Sequence, residues 1–198
     1  MNRNLRMVIF VVVMGIVTSV LLMGVDALTA ERIQLNQQAQ LQSAILDAYD
    51  IDYDAANIGQ IFNDHFETKE IDDLVFFIHN DSGAISYEFS GDGLWGPIRA
   101  VISFEDDFET IRQIRVLQQE ETPGLGGVIA SHDYLDTFIG KNLSGGLIIS
   151  QSADASLDDE VDAITGATGT SNAFEGMLNR NYETFKETWE QEGGSDDA

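Results

Sequence analysis

Apolar and polar positions divide this 198-residue chain into three textures. From Met7 to Val25 the chain is apolar for nineteen residues, with only Thr18 and Ser19 polar. At about 1.5 Å per residue such a helix reaches about 28 Å, close to the thickness of a bilayer's hydrocarbon core. The run predicts a transmembrane anchor. Arg3 and Arg6 precede it, so the positive-inside rule puts the N-terminus in the cytoplasm and the rest outside. A cleaved signal peptide is the competing reading. Its apolar region is usually shorter, and Asp26-Ala27-Leu28-Thr29-Ala30 is a mediocre cleavage signal. No later run approaches this length, so one span is expected.

Thr29 to Asp47 keeps helical spacing, with Leu35, Ala39, Leu41, Ile45 and Leu46 among glutamines, and reads as a stalk. A short helix is expected over Asn57–Phe66. The texture then becomes β-branched and aromatic, with runs at Leu74–His79, Ala84–Phe89, Pro97–Phe104 and Thr110–Gln119. Asp81-Ser82-Gly83, Gly91-Asp92-Gly93 and Glu105-Asp106-Asp107 separate them as turns, which predicts an antiparallel sheet. A helix capped by Ser131 is expected over Ser131–Lys141, and a short strand over Leu147–Ser150. Phe174, Met177, Leu178, Tyr182, Phe185 and Trp189 fall three and four residues apart, the apolar face of a last helix. The fold class is α+β, a single transmembrane helix followed by one extracytoplasmic domain whose mostly antiparallel sheet is packed by helices. The expected division is 1–25 tail and anchor, 26–72 stalk and lead-in, 73–190 domain, and 191–198 a disordered acidic tail.

Charge narrows the function. Thirty-four acidic and ten basic residues give −24, and Arg3 and Arg6 are the only charges before Asp26, so residues 26–198 carry −26. A phosphate-backbone binder needs the opposite sign, which excludes nucleic acid as the expected partner. An acidic excess with scarce lysine is a pattern that keeps a protein soluble in high salt; the plainer reading is a solvated, self-repelling surface. The absence of cysteine removes disulfides, thiolate nucleophiles and cysteine-held clusters. His65, His79 and His132 show no ligand-like spacing, so no metal site is expected.

Three segments carry candidate chemistry. Asp162-Ala163-Ile164-Thr165-Gly166-Ala167-Thr168 leads into the last helix through Gly169-Thr170-Ser171-Asn172. Free N–H groups and the positive dipole end at a helix start suit a phosphate, and Gly166 and Ala167 permit close backbone approach. A plain hydroxyl-rich cap, with Thr170 or Ser171 as N-cap, is the commoner use of such residues. Glu121-Thr122-Pro123-Gly124-Leu125-Gly126-Gly127 is a Pro-Gly turn with glycines able to take positive φ. Gly91-Asp92-Gly93-Leu94-Trp95-Gly96-Pro97 places an aromatic in a glycine-rich turn.

Taken in order, these segments identify a resemblance. Asp162-x-x-Thr165-Gly166-Ala167-Thr168 resembles the flavinylation motif of the FMN-binding domain shared by NqrC, of the sodium-pumping NADH:quinone reductase (Nqr), and RnfG, of the Rnf complex. In that family a flavin transferase, using FAD and magnesium, joins FMN through its phosphate to the last Thr of the motif. The resemblance implies covalent FMN on Thr168, with Asp162, Thr165, Gly166 and Ala167 as the recognition sequence. The 121–127 loop is similar to a family stretch that lines the flavin. Leu125 would pack on the ring system, and Glu121, Thr122 and the backbone near Gly124 and Gly126 would hydrogen-bond the cofactor. Leu94 and Trp95 lie in a Gly-Leu-Trp-Gly segment like one near the flavin in Nqr, so Trp95 is expected to flank it. Chain length is nearer RnfG, whereas Gly-Leu-Trp-Gly and Thr170-Ser171-Asn172 favour NqrC. Many relatives carry Ser at the Thr165 position, which keeps the hydroxyl.

The implied function is an electron-transfer subunit of a membrane redox-driven ion pump of Nqr or Rnf type. The implied partners are the other subunits, the flavin transferase and the cytoplasmic (inner) membrane. No nucleophile–base pair accompanies the motifs, so no independent turnover is expected. Two alternatives stand beside it, a flavinylated carrier of another extracytoplasmic electron-transfer chain and a non-redox anchored binding module.

Overall fold

The computed structural model describes residues 2–72, 74–154 and 156–192. The tail expected over 191–198 lies, from Gly193 on, outside the described residues. The chain divides into two compact units, Met1–Ala39 and Gln40–Ala198.

The first unit is the greater part of helix α1, Arg3–Ala48. Anchor and stalk are one continuous helix, because no proline or paired glycines interrupt it. Thr18 and Thr29 satisfy their hydroxyls on the carbonyls of Met14 (2.6 Å) and Val25 (2.9 Å), which keeps them compatible with an apolar surround. This helix contains a stretch long and apolar enough to cross a membrane. Its large side chains, Phe10 and Leu22 among them, are exposed, as lipid-facing residues of a spanning helix would be.

In the second unit α1 ends at a residue with left-handed backbone, Asp50 (φ 53°). Ile51 N–H returns to Leu46 C=O (3.1 Å) and Asp50 N–H to Asp47 C=O (3.3 Å), a Schellman closure with Leu46 and Ile51 in the same apolar cluster. Helix α2 follows at Ile58–His65. Five strands then run as an antiparallel meander in sequence order: β1 Phe66–Ile71, β2 Leu74–His79, β3 Ile85–Asp92, β4 Pro97–Phe104 and β5 Ile111–Gln118. β1 departs from the sequence expectation. Only Phe66 and Ile71 are buried in it, and the charges of Glu67, Lys69 and Glu70 are what an edge strand shows to solvent.

Expected helix 131–141 is also different. Helix α3 spans only His132–Leu135, a 3-10 turn follows at Asp136–Phe138, and the Ser131 side chain makes no cap hydrogen bond. The backbone beyond is claimed by the sheet: Gly140 N–H bonds Ile111 C=O and Ile111 N–H bonds Lys141 C=O, both at 2.8 Å. Gly140 makes the necessary turn at φ 78°. A parallel pair, β6 Ile148–Ser150 and β7 Glu160–Asp162, precedes the long helix α4, Thr168–Glu192. β7, three residues long, carries no sequence signal of its own.

Alternation along the strands gives the sheet two apolar faces. Phe76, Tyr87, Phe89, Ile102 and Phe104 join Phe174, Met177, Leu178, Tyr182 and Phe185 of α4 in one core. Phe77 and Val101 point the other way, into a smaller cluster with Ala44, Ile45, Leu46 and Phe62. Phe185 stacks on Tyr87 (5.0 Å between centroids, 12°) and on Phe104 (5.4 Å, 12°), which fixes α4 across the sheet. Phe185→Ala removes the shared ring and leaves a cavity, an expected cost of about 3–5 kcal/mol. The denaturant midpoint of the full chain in detergent should fall accordingly; an unchanged midpoint would show that α4 is held elsewhere.

Candidate functional site

The three motif segments lie far apart in sequence and meet at the N-terminal end of α4. Leu94 and Trp95 sit in the four-residue β3–β4 hairpin loop, which Asp92 and Pro97 close as a pair and Gly93 N–H to Gly96 C=O (2.9 Å) tightens. The 121–127 loop leaves β5 and folds on itself through Leu125 N–H and Gly127 N–H, both bonded to Thr122 C=O at 3.1 and 2.9 Å. Gly124 holds φ 75° at its tip. The third segment runs from β7 into α4 and turns at Gly166 (φ 80°).

Glu121 joins all three. It is buried, and its Oε1 accepts the N–H groups of Leu94 (2.7 Å) and Trp95 (3.0 Å). Its Oε2 accepts the Thr170 hydroxyl at 2.7 Å. The motif glycines make room for this carboxylate. A Cβ on Gly93 would stand 2.5 Å from Glu121 Oε1, and one on Gly126 would stand 2.5 Å from Thr170 Oγ1 and 2.6 Å from Glu121 Oε2. Any side chain larger than hydrogen there would displace the hydrogen-bonded hub. Gly91 has a different reason, since its Cβ would stand 2.7 Å from Met177 Cγ where α4 crosses β3.

Around the hub the groups facing outward are of two kinds. Leu94, Trp95 and Leu125 are exposed apolar side chains, Trp95 by 71%. Leu94 reaches to 3.0 Å from where a Cβ on Gly169 would sit, and Leu125 to 3.4 Å from one on Gly166. Both leucines therefore cover the backbone of the 162–169 segment. Thr168, the first residue of α4, is also exposed, and its Oγ1 accepts a hydrogen bond from Gln151 Nε2 at 3.1 Å. Asp162 and Thr165 are exposed beside it in sequence, whereas Ala167 is buried.

Because α4 begins at Thr168, Thr170 and Ser171 lie inside its first turn and are not its N-cap. Ser171 does a related job. Its hydroxyl accepts the Ile164 N–H (3.0 Å) and donates to Ala167 C=O (3.2 Å), pinning the motif turn against the helix. Nearby Tyr134 has its phenol raised well above the ordinary value, by burial first, so it remains a neutral wall of this region.

Sequence reasoning placed Glu121 on the ligand; in the structure both its oxygens are engaged by the protein's own donors. Gln151 was missed, since a lone glutamine in a polar loop carries no signal. Surface clefts of about 510 Å³, between the 143–146 loop and α4, and 410 Å³, around Val75 and Phe89, lie away from these three loops. The candidate site is an open shelf. The histidines, scattered along the chain, are less scattered in the fold, and the rings of His65 and His79 stand 6.5 Å apart.

Comparison with known proteins agrees with this geometry. An FMN-binding domain matches residues 93–183, which contain all three loops. NqrC, the corresponding part of the Na(+)-translocating NADH-quinone reductase, is 36% identical in Pasteurella multocida over 106 residues, half of this chain and 41% of that protein. The Yersinia pestis protein is 29% identical over 162 residues, 78% of this chain and 57% of that protein. The chain thus spans about half the length of the curated relatives it matches. Among solved structures, NqrC from Parabacteroides distasonis superimposes with a TM-score of 0.64 at 24% identity, covering 78% of this chain and 94% of that one. NqrC of Shewanella oneidensis gives 0.67 at 21%, covering 79% and 97%. Residues 93–183 are an FMN-binding domain, and the chain that carries them is similar in sequence and in fold to NqrC of the Na(+)-translocating NADH-quinone reductase.

Proposed function

We propose that this chain is an electron-transfer subunit of an Nqr-type ion-pumping complex and holds FMN through a phosphoester on Thr168. The observation that carries the proposal is the pairing of an exposed hydroxyl at a helix start with an exposed apolar shelf on neighbouring loops. Thr168 and the first N–H groups of α4 suit a phosphate at the positive end of the helix dipole. Leu94, Trp95 and Leu125 suit a flat aromatic ring that would otherwise face water. The residues present therefore fit FMN at both of its ends.

Bound FMN supplies the redox chemistry; the chain supplies position and electrostatics. In the attachment step the Thr168 oxygen forms the bond to phosphorus, its proton is lost, and AMP leaves FAD. Gln151 Nε2 holds the Thr168 oxygen beforehand by donating to it. Asp162, Thr165, Gly166 and Ala167 form the turn presented to a flavin transferase, and Gly124 and Gly166 supply the left-handed backbone that shapes both loops. Glu121 keeps Leu94, Trp95 and Thr170 in register. Thr122 and the backbone of Gly126 border the shelf. The surplus of carboxylates disfavours added negative charge at this site, an effect that salt screens.

In this reading α1 crosses the cytoplasmic membrane once, with Arg3 and Arg6 inside and the flavin domain in the periplasm or its equivalent. The remaining Nqr subunits are its partners, and the chain has no turnover alone. Coexpression with a flavin transferase, followed by intact mass and peptide mapping, tests the proposal. A mass gain of FMN less water, mapped to Thr168, is expected. An unmodified chain, with the transferase active on a control, would overturn it and favour an anchored binding module.

A further inference from the structure

His65 closes helix α2, His79 closes strand β2, and Asp81 begins the turn into β3. Their ligand atoms all lie within 4.8 Å of one another. Ile85 starts β3 and Asp92 ends it at the flavin hairpin, so by strand rise the cluster stands roughly 23 Å from that loop. We propose that His65, His79 and Asp81 bind a divalent transition-metal ion of the zinc class, as a clip between α2 and the β2–β3 turn.

Two imidazoles and one carboxylate are a donor set that zinc takes up readily, with the remaining position left to water. Magnesium and calcium prefer oxygen alone. The scaffold is already built around the three groups. The Asn80 backbone N–H bonds His65 C=O at 2.9 Å, and the Asn80 amide bonds Asp64 C=O at 3.0 Å, so the turn is tied to the end of α2. The His79 ring stacks on Tyr49 (4.6 Å, 26°) and lies 5.2 Å from Phe66, which fixes its plane. His79 Nδ1 stands 2.8 Å from Ser82 Oγ. With Nδ1–H donated to that hydroxyl, Nε2 keeps its lone pair for a metal, the outer hydrogen bond that ligating histidines usually make. Arg112 is the opposing charge, 4.8 Å from the Tyr49 ring, and its ion pair with Glu105 offsets it.

The test is zinc binding by the purified full chain in detergent, free of any affinity tag, by equilibrium dialysis against Zn²⁺ in large Mg²⁺ excess. Magnesium occupies the carboxylate-only surface. One saturable zinc per chain is expected, with a rise in thermal midpoint on saturation. His65→Asn and Asp81→Asn, which leave the His79 stacking intact, should each weaken binding by about tenfold or more and abolish most of that rise. Flavin content should not change, because the flavin loops are remote. Absence of a saturable zinc would overturn the proposal. So would equal affinity in wild type and the His65→Asn variant, since the metal would then sit on other groups.

Discussion

Thr168→Ala is expected to abolish covalent flavin completely while leaving the domain folded. Its side chain is exposed, and its one hydrogen bond is the Gln151 contact at 3.1 Å. Losing an exposed side-chain contact of this kind falls within about 0.5 kcal/mol of neutral. Alanine also suits the first turn of a helix. The chemistry is all-or-none by contrast, because without the hydroxyl oxygen no phosphoester forms. Denaturing-gel flavin fluorescence and intact mass should both read zero, with an unchanged circular dichroism spectrum. Thr165→Ala separates attachment from recognition, since it removes a neighbouring exposed hydroxyl and spares the acceptor. Partial labelling, still mapped to Thr168, is the expected result. Covalent flavin retained by the Thr168→Ala chain would move the attachment site elsewhere.

Glu121→Ala is the largest expected change in stability at the site. The substitution strands two backbone N–H groups and the Thr170 hydroxyl in a region that Gly93 and Gly126 have cleared for the carboxylate. Hydrogen bonds to a charged group contribute about 1.5–3 kcal/mol each, and unsatisfied buried donors add to the loss, so a cost on the order of 3–5 kcal/mol is expected. Denaturant unfolding should show it, and flavinylation should fall because Leu94 and Trp95 lose their anchor. Glu121→Gln is the control. Its amide oxygen can still accept Leu94 and Trp95, while its NH₂ can donate to a rotated Thr170 hydroxyl. It should recover much of the stability. If the alanine variant unfolds at the wild-type midpoint, Glu121 does not organise the three loops.

Much of the fold is legible along the chain, for reasons visible in single elements. Strands β2 and β4 occupy the spans that their β-branched and aromatic runs predict, because alternate residues such as Phe76 and Phe77 face opposite apolar clusters. Helix α4 is legible because the residues from Phe174 to Phe185 that meet the sheet recur at the helical period. Elements whose surroundings determine them are not legible. β1 is nearly all polar, and α3 stops where the Ile111 backbone takes over the following residues.

The site divides in the same way. Local sequence determined an apolar membrane-length helix, a left-handed turn at Gly166, a hydroxyl at the start of α4 and a Pro-Gly loop carrying Leu125, since each depends on neighbours a few residues away. Only the tertiary structure decided that these face one another. Glu121 meets Leu94 across 27 positions and Thr170 across 49, and no local periodicity encodes such separations. The same holds for His65 and His79, which no ligand spacing connects and which the antiparallel pairing of β1 with β2 brings together. Short-range propensity shapes each loop, and long-range burial and hydrogen bonding determine which loops share a site.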